Sequence, residues 1–315
     1  MPVAYGSNAK RRLREQTDPF LIATGDFAQL PFFSIGLAAS QPLQRDDMLG
    51  VGTGRDGSEP YLDALSVSGD AVLPIDLNNI GYILKMLLGT EVVTGSGADK
   101  VHTWTSGKTV LPAYSIEVAH PDLGAYRQFI GVRANTLSAD LAPGGPARVS
   151  VGLMGMSETT LAASAAGSPT IAPVTRFMNP TGYVKRDGVQ LGQVLSGNIR
   201  FGNGMNPVRT IRPDNRLEEI ELGTSTGGGT ITTRYADNSL IAQAISGAPV
   251  LFEYGWSISA TKYLKLEFPR SYLSRPGAQV SGPGGIELPA TWEAAYDPTA
   301  GYMMKATLAN QFAAY

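Results

Sequence analysis

Val72–Gly89 and Thr230–Gly247 align without a gap at an offset of 158. Each stretch reads as a strand, an Asn/Asp capping pair, an apolar helix and a terminal glycine. The first predicts a helix over about 78–88, with Asn78 or Asn79 as N-cap and Gly89 just past its end. Leu77, Ile80, Leu84, Leu87 and Leu88 fall on one face at helical spacing, which predicts core packing. The second predicts a helix over about 237–246, capped by Asp237 or Asn238 and ended by Gly247, with Leu240, Ile241, Ala244 and Ile245 as its core stripe. A chain that repeats such a unit is constrained to build one architecture twice.

The repeat extends outward from the helices. Upstream of the first lie Ser34–Leu37, Arg45-Asp46-Asp47 and the Gly-rich stretch Gly50–Gly57; upstream of the second lie Asn198–Phe201, Arg212-Pro213-Asp214 and Gly223–Gly229. Downstream of each come strands, a Pro-Gly-Gly turn (Pro143–Gly145, Pro283–Gly285) and a final strand. Most remaining segments alternate apolar and polar residues with period two. Tyr114, Ile116 and Val118 do so, as do Val149, Val151 and Leu153, and Leu264, Leu266 and Phe268. The fold class this predicts is mainly β with a few helices: tandem β-sandwich or barrel-like domains, each flanked by one short helix. The expected division is 1–160, a small, polar, Pro-containing linker at 161–177, and 178–315.

Composition narrows function by exclusion. Charged residues are 17% of the chain, against a typical ~25%, which suggests a surface partly covered by other copies. The net charge of −2 does not suit a basic nucleic-acid binder. Residues 1–160 hold 12 Lys+Arg and 16 Asp+Glu, a net of −4, leaving a net of +2 for the rest. The cluster Lys10, Arg11, Arg12 and Arg14 reads as a solvated N-terminal arm or an inter-subunit tether. With no cysteine there is no thiolate metal site or disulfide. No apolar run approaches the ~20 residues of a membrane helix, and no segment resembles a signal peptide.

Catalytic patterns fail on context. The two histidines, His102 and His120, belong to no set at ligand spacing, so no metal or cofactor is expected. Gly223-Thr224-Ser225-Thr226-Gly227 matches a nucleophile elbow in letters, but no helix follows it and no histidine lies downstream. Gly50–Gly57 is not followed by the helix that a phosphate loop requires. Asp46, Asp47, Asp56, Glu59 and Asp63 lack the spacing of a calcium loop. The segment Gln41–Asp63 is instead a long connection without clear structure of its own, suited to becoming ordered on a neighbouring subunit.

Arg45-Asp46-Asp47-Met48-Leu49-Gly50, Val67-Ser68-Gly69-Asp70 leading to Leu84–Gly89, His102-Thr103-Trp104 and Leu111–Glu117 together give a pattern that resembles the tail tube (major tail) proteins of long-tailed bacteriophages. The resemblance covers most of 25–155 and, more faintly, the second copy. It implies sheets joined edge to edge into rings, rings stacked into a hollow tube, and a long loop reaching a neighbour. On this sequence the loops would be Gln41–Asp63 and Met205–Leu222, with Arg45, Asp46, Asp47, Arg55, Asp56, Glu59, Arg212 and Asp214 as candidate assembly residues. The implied partners are further copies of the chain, the tape measure, terminator and distal tail proteins, and DNA in transit. The implied place is the virion tail, assembled in the host cytoplasm. Two copies per chain lead to the expectation of three chains per ring, with six as the alternative. Other virion parts (terminator, baseplate or decoration protein) and a carbohydrate-binding sandwich using Trp104, Trp256 or Trp292 are the competing readings; an enzyme is not expected.

Overall fold

The computed structural model describes residues 3–46, 55–97, 99–214, 216–278, 280 and 282–315. The protein is mainly β. Among the described residues, twenty strands form one hydrogen-bonded sheet system, and two short ladders stand apart from it. Helix α1 is Ile80–Leu88 and helix α2 is Ser239–Ser246.

The helix caps differ in detail from the expectation. Asp76, not an Asn side chain, caps α1: its Oδ1 accepts the N–H groups of Asn78 and Asn79, each at 2.9 Å. For α2 the cap is one of the two expected residues, Asp237, whose Oδ1 accepts the Ser239 N–H at 2.7 Å. Both helices end at a glycine with positive φ, Gly89 at 88° and Gly247 at 64°. Helix α1 is a core element with Ile80, Ile83, Leu84, Met86, Leu87 and Leu88 all buried. The reading of the α2 stripe as core requires correction. Only Leu240 is buried there, and Ile245 is 60% exposed, whereas α1 is also covered by the C-terminal Tyr315, whose ring meets Tyr82 at 5.1 Å.

The two halves contain the same ladder. In the first half Leu13 pairs Ile116, Ile116 pairs Phe129 and Phe129 pairs Glu158. In the second, Val184 pairs Tyr254, Tyr254 pairs Leu266 and Leu266 pairs Ala306. The other flank repeats as well: Leu137–Val151, Val151–Ala71 and Ala71–Ile35 match Leu273–Trp292, Trp292–Gly229 and Gly229–Ile199. Every one of these pairings is antiparallel. The long connections match too, since each carries a two-stranded ladder. Leu43 pairs Leu62 and Pro207 pairs Ile220, at the same offsets (164 and 158) that carry Ser34–Val72 onto Asn198–Thr230. Gln41–Asp63 is therefore not wholly without structure, as the sequence suggested.

Backbone pairing fuses the halves. Val194–Gly202 of the second half lies along Thr136–Leu141 of the first, with Leu137 opposite Phe201 and Ala139 opposite Ile199. Lys305–Asn310 pairs with Asp99–Thr105, which belongs to a hairpin present only in the first half. One hydrophobic cluster runs through both, from Leu13 and Phe129 to Trp256, Trp292 and Leu308. The small, polar segment 161–177 is docked rather than loose. Phe27 N–H bonds Ala166 O, Leu77 N–H bonds Thr175 O, and Phe177 is fully buried between Ile75 and Ala147.

Candidate assembly interface

Sheet edges come first, because an unpaired edge is the feature of a β protein most able to recruit another chain. At the internal junction, Asn203 N–H donates to Asn135 O at 2.8 Å, so Phe201 and Ile199 also turn their peptide groups toward the first half. Their counterparts, Leu37 and Ile35, belong to the short strands Ala38–Ser40 and Ser34–Ile35 and the step between them. No described strand pairs with their outer side. The one outward N–H with a partner there is that of Ala39, held by the Glu158 carboxylate at 2.7 Å.

The long connections differ in how they are covered. The second, Met205–Leu222, packs Met205, Leu217 and Ile220 against Leu111 and Met156 of the first half. Leu217 N–H bonds Met156 O at 3.3 Å, and Arg209 Nη1 bonds Leu65 O at 2.9 Å. At its tip Arg212 reaches Asp214 (2.9 Å) and Glu218, Arg216 reaches Asp214 (2.9 Å), and the Arg216 guanidinium lies over the Phe20 ring at 4.1 Å. The Arg212 hydrogen bond, with help from Arg216, lowers the Asp214 carboxyl to about 2. Arg212 and Asp214 thus brace the loop internally.

In the first connection, Leu43, Tyr61 and Leu62 are 65%, 48% and 61% exposed. Asp46 accepts from Tyr61 Oη at 3.4 Å, and its charge is the main cause of a raised Tyr61 phenol. Ser58 Oγ bonds Asp46 O. Arg45, Arg55, Asp56 and Glu59 are exposed; Asp47 lies outside the described residues.

Lys10–Glu15 corrects the expectation of a solvated arm, because it is an interior strand paired on both sides. Alternation in a strand splits the basic cluster between faces. Lys10 and Arg14 point outward, whereas Arg12 bonds the buried Glu117 at 2.7 Å. Arg11 is completely buried, and none of its three guanidinium nitrogens has a partner; burial lowers it to about 10. The sequence offered no sign of Arg11 facing the core, because Lys and Arg in a run look alike until a register separates them.

Residues singled out for chemistry do not converge. Ser225 lines a shallow concavity of about 580 Å³ over the junction, with Arg200, Trp292 and Glu293 but neither histidine. His102 sits against the Glu91 carboxylate and stacks 6.0 Å from Trp104. Trp104, Trp256 and Trp292 are all buried, so they form no exposed sugar platform. Among the described residues there is no group of three or more metal-ligating side chains, and no helix is long and apolar enough to cross a membrane.

Residues 6–294, spanning both halves, match the family model described as phage tail tube protein. The chain belongs to the phage tail tube protein family. It is accordingly a structural protein of the phage tail, a family whose members work as repeated copies in the virion. None of the curated proteins matches it. In this tail tube protein the three tryptophans are buried in the scaffold.

Proposed function

We propose that three copies of this chain close a ring containing six equivalent tube units, and that such rings stack into the conduit through which DNA leaves the virion. The observation that carries this reading is the repeated ladder, with the edge strand of one unit already paired to the long strand of the other inside a single chain. A chain holding one unit–unit junction internally presents the two unsatisfied halves of the next junction at its ends. Repeating the step in one rotational sense closes a ring, and closure removes every open edge of that kind.

The connection 41–63, carrying Arg45, Asp46, Asp47, Arg55, Asp56 and Glu59, is the surface proposed to contact a neighbouring chain. Arg212 and Asp214 stiffen its counterpart; of the basic cluster, Lys10 is left available outside, while Arg14, also exposed, donates to the Asp26 carbonyl. The acidic balance, with a pI of about 5.8, suits a lumen that does not hold passing DNA. Tape measure, terminator and distal tail proteins are the expected end partners, and the host cytoplasm the expected place of assembly.

The test is to concentrate purified protein, image it by negative stain, and measure mass per ring. Hollow rods with three chains per ring are expected. Rods with six whole chains per ring would overturn the stoichiometry, and a chain that stays monomeric under all assembly conditions would count against self-assembly.

A further inference from the structure

The internal junction can be transposed onto the boundary between chains. Leu137 and Ala139 of the first half accept Phe201 and Ile199 of the second. The repeated ladder makes Leu273 the counterpart of Leu137, since each lies across from the matching residue of the next strand (Trp292 and Val151). Two residues on, Arg275 is the counterpart of Ala139. Leu37 and Ile35 are the counterparts of Phe201 and Ile199. We propose that Leu37 and Ile35 of one chain pair, antiparallel, with Leu273 and Arg275 of a second copy of this chain.

Three independent features favour this register. The first is the direction of the peptide groups. Ser274 N–H donates to Thr291 O at 2.9 Å on the occupied side of the strand. Peptide groups alternate along an extended strand, so residues 273, 275 and 277 turn to the other side, where no described strand lies. Pro276, which has no N–H, falls on the occupied side and leaves the free edge intact.

The second feature is the acceptor strand's neighbour. The strand Val250–Ser259 covers that edge only as far as Ser271. In the first half Tyr114–His120 likewise stops at Val132, and Val194–Gly202 continues along the edge it leaves. Residues 273–277 therefore end in the geometry that, one unit earlier, already receives a strand.

The third is the hairpin. Ile220 and Leu62 occupy equivalent positions, yet Ile220 is 3% exposed against Met156 and Leu111, whereas Leu62 is 61% exposed. If the first unit docks on the second unit of a neighbour as the second docks on the first, Leu62 is covered by the same movement that pairs Leu37 and Ile35. An uncovered ladder edge and an uncovered apolar hairpin thus call for one partner in one orientation.

This inference rests on the proposed ring and deepens it. The register also places Gly36 opposite Ser274, as Arg200 lies opposite Ser138 within the chain. Such a pair lies between the hydrogen-bonded ones, where Cα atoms are about 4.5 Å apart, within disulfide range. The natural chain has no cysteine, so the background is clean. Gly36→Cys and Ser274→Cys are made singly and together, assembled into rods, oxidised and run without reducing agent. The double variant should convert most chains to linked dimers and trimers, and a mixture of the two single variants should give dimers. Each single variant alone should stay monomeric on the gel. Rods that form normally but do not cross-link, while an internal control pair (Ser138→Cys with Arg200→Cys) closes, would overturn the register and leave the tube reading standing. Absence of rods from the natural protein would instead overturn the ring on which the register depends.

Discussion

Arg12 and Glu117 face each other across adjacent strands, Nη1 to Oε1 at 2.7 Å, with the carboxylate wholly removed from solvent. Glu117 also accepts from Ser164 Oγ (2.8 Å) and from the Ala165 N–H (2.9 Å). It therefore ties the first strand to the segment that leads into the second half. Breaking a buried pair by removing one partner typically costs about 3–5 kcal/mol. Glu117→Ala should lower stability by about that much in urea unfolding and expose 161–177 to limited proteolysis before the rest of the chain. Cleavage as slow as in the natural protein would show that the anchor lies elsewhere.

Arg11 is the opposite case, a guanidinium buried with no acceptor. Replacing a buried, uncompensated charge with an apolar side chain of similar length removes a desolvation cost. Arg11→Met should leave the fold intact and raise the thermal midpoint, by about 2–4 °C for each kcal/mol recovered in a domain of a few hundred residues. A lowered midpoint would mean that the guanidinium has a favourable role in the folded chain.

Asp76 gives a pH-dependent signature. Burial is the largest influence on its carboxyl and raises it above the usual range, although hydrogen bonds from Asn78 and Asn79 pull the other way. A group raised in the folded state contributes stability at acid pH and loses it as pH rises through the folded value. Asp76→Asn keeps an oxygen for the two N–H groups, so its stability relative to the natural protein should improve from about pH 4 to pH 7. Asp76→Ala, which lacks the cap, should follow the same pH trend but lie about 1 kcal/mol below Asp76→Asn throughout. Guanidinium titrations at several pH values separate the two, and a difference that stays flat for Asp76→Asn would eliminate burial as the cause.

Leu62 and Ile220 make a matched pair for separating folding from assembly. Ile220→Asp places a charge among Leu111, Met156 and Leu217 and should destabilise the isolated chain by several kcal/mol. Leu62→Asp alters an exposed site, so the isolated chain should melt within about 0.5 kcal/mol of the natural one while rod yield falls sharply. Calorimetry together with sedimentation of rods reads both. Equal rod yields for Leu62→Asp and the natural chain would release the hairpin from any role in assembly.

The repeat was visible in the sequence where chain conformation dictates residue type. Asn/Asp-rich helix starts, terminal glycines and apolar helix positions recur because the backbone needs them, and they located α1, α2 and the matching connections, although they did not single out Asp76, the acid that caps α1. What stayed hidden depended on contacts between distant residues. The stripe of α2 has the same spacing as that of α1, yet only Leu240 of it is buried, because burial depends on what packs over a helix and not on its own spacing. Arg11 and Arg12 are identical letters separated by strand alternation. The small residues at 161–177 look like a tether, yet small residues also dock closely, and Ala166 is fully buried. The pairing of 305–310 with 99–105 leaves no local trace at either end.

That last pairing has a consequence during synthesis. Asp99–Thr105 receives its outer partner only when Lys305–Asn310 has been translated, so a ribosome still working on the second unit holds a first unit with an open flank. The first unit cannot reach its finished form ahead of the second.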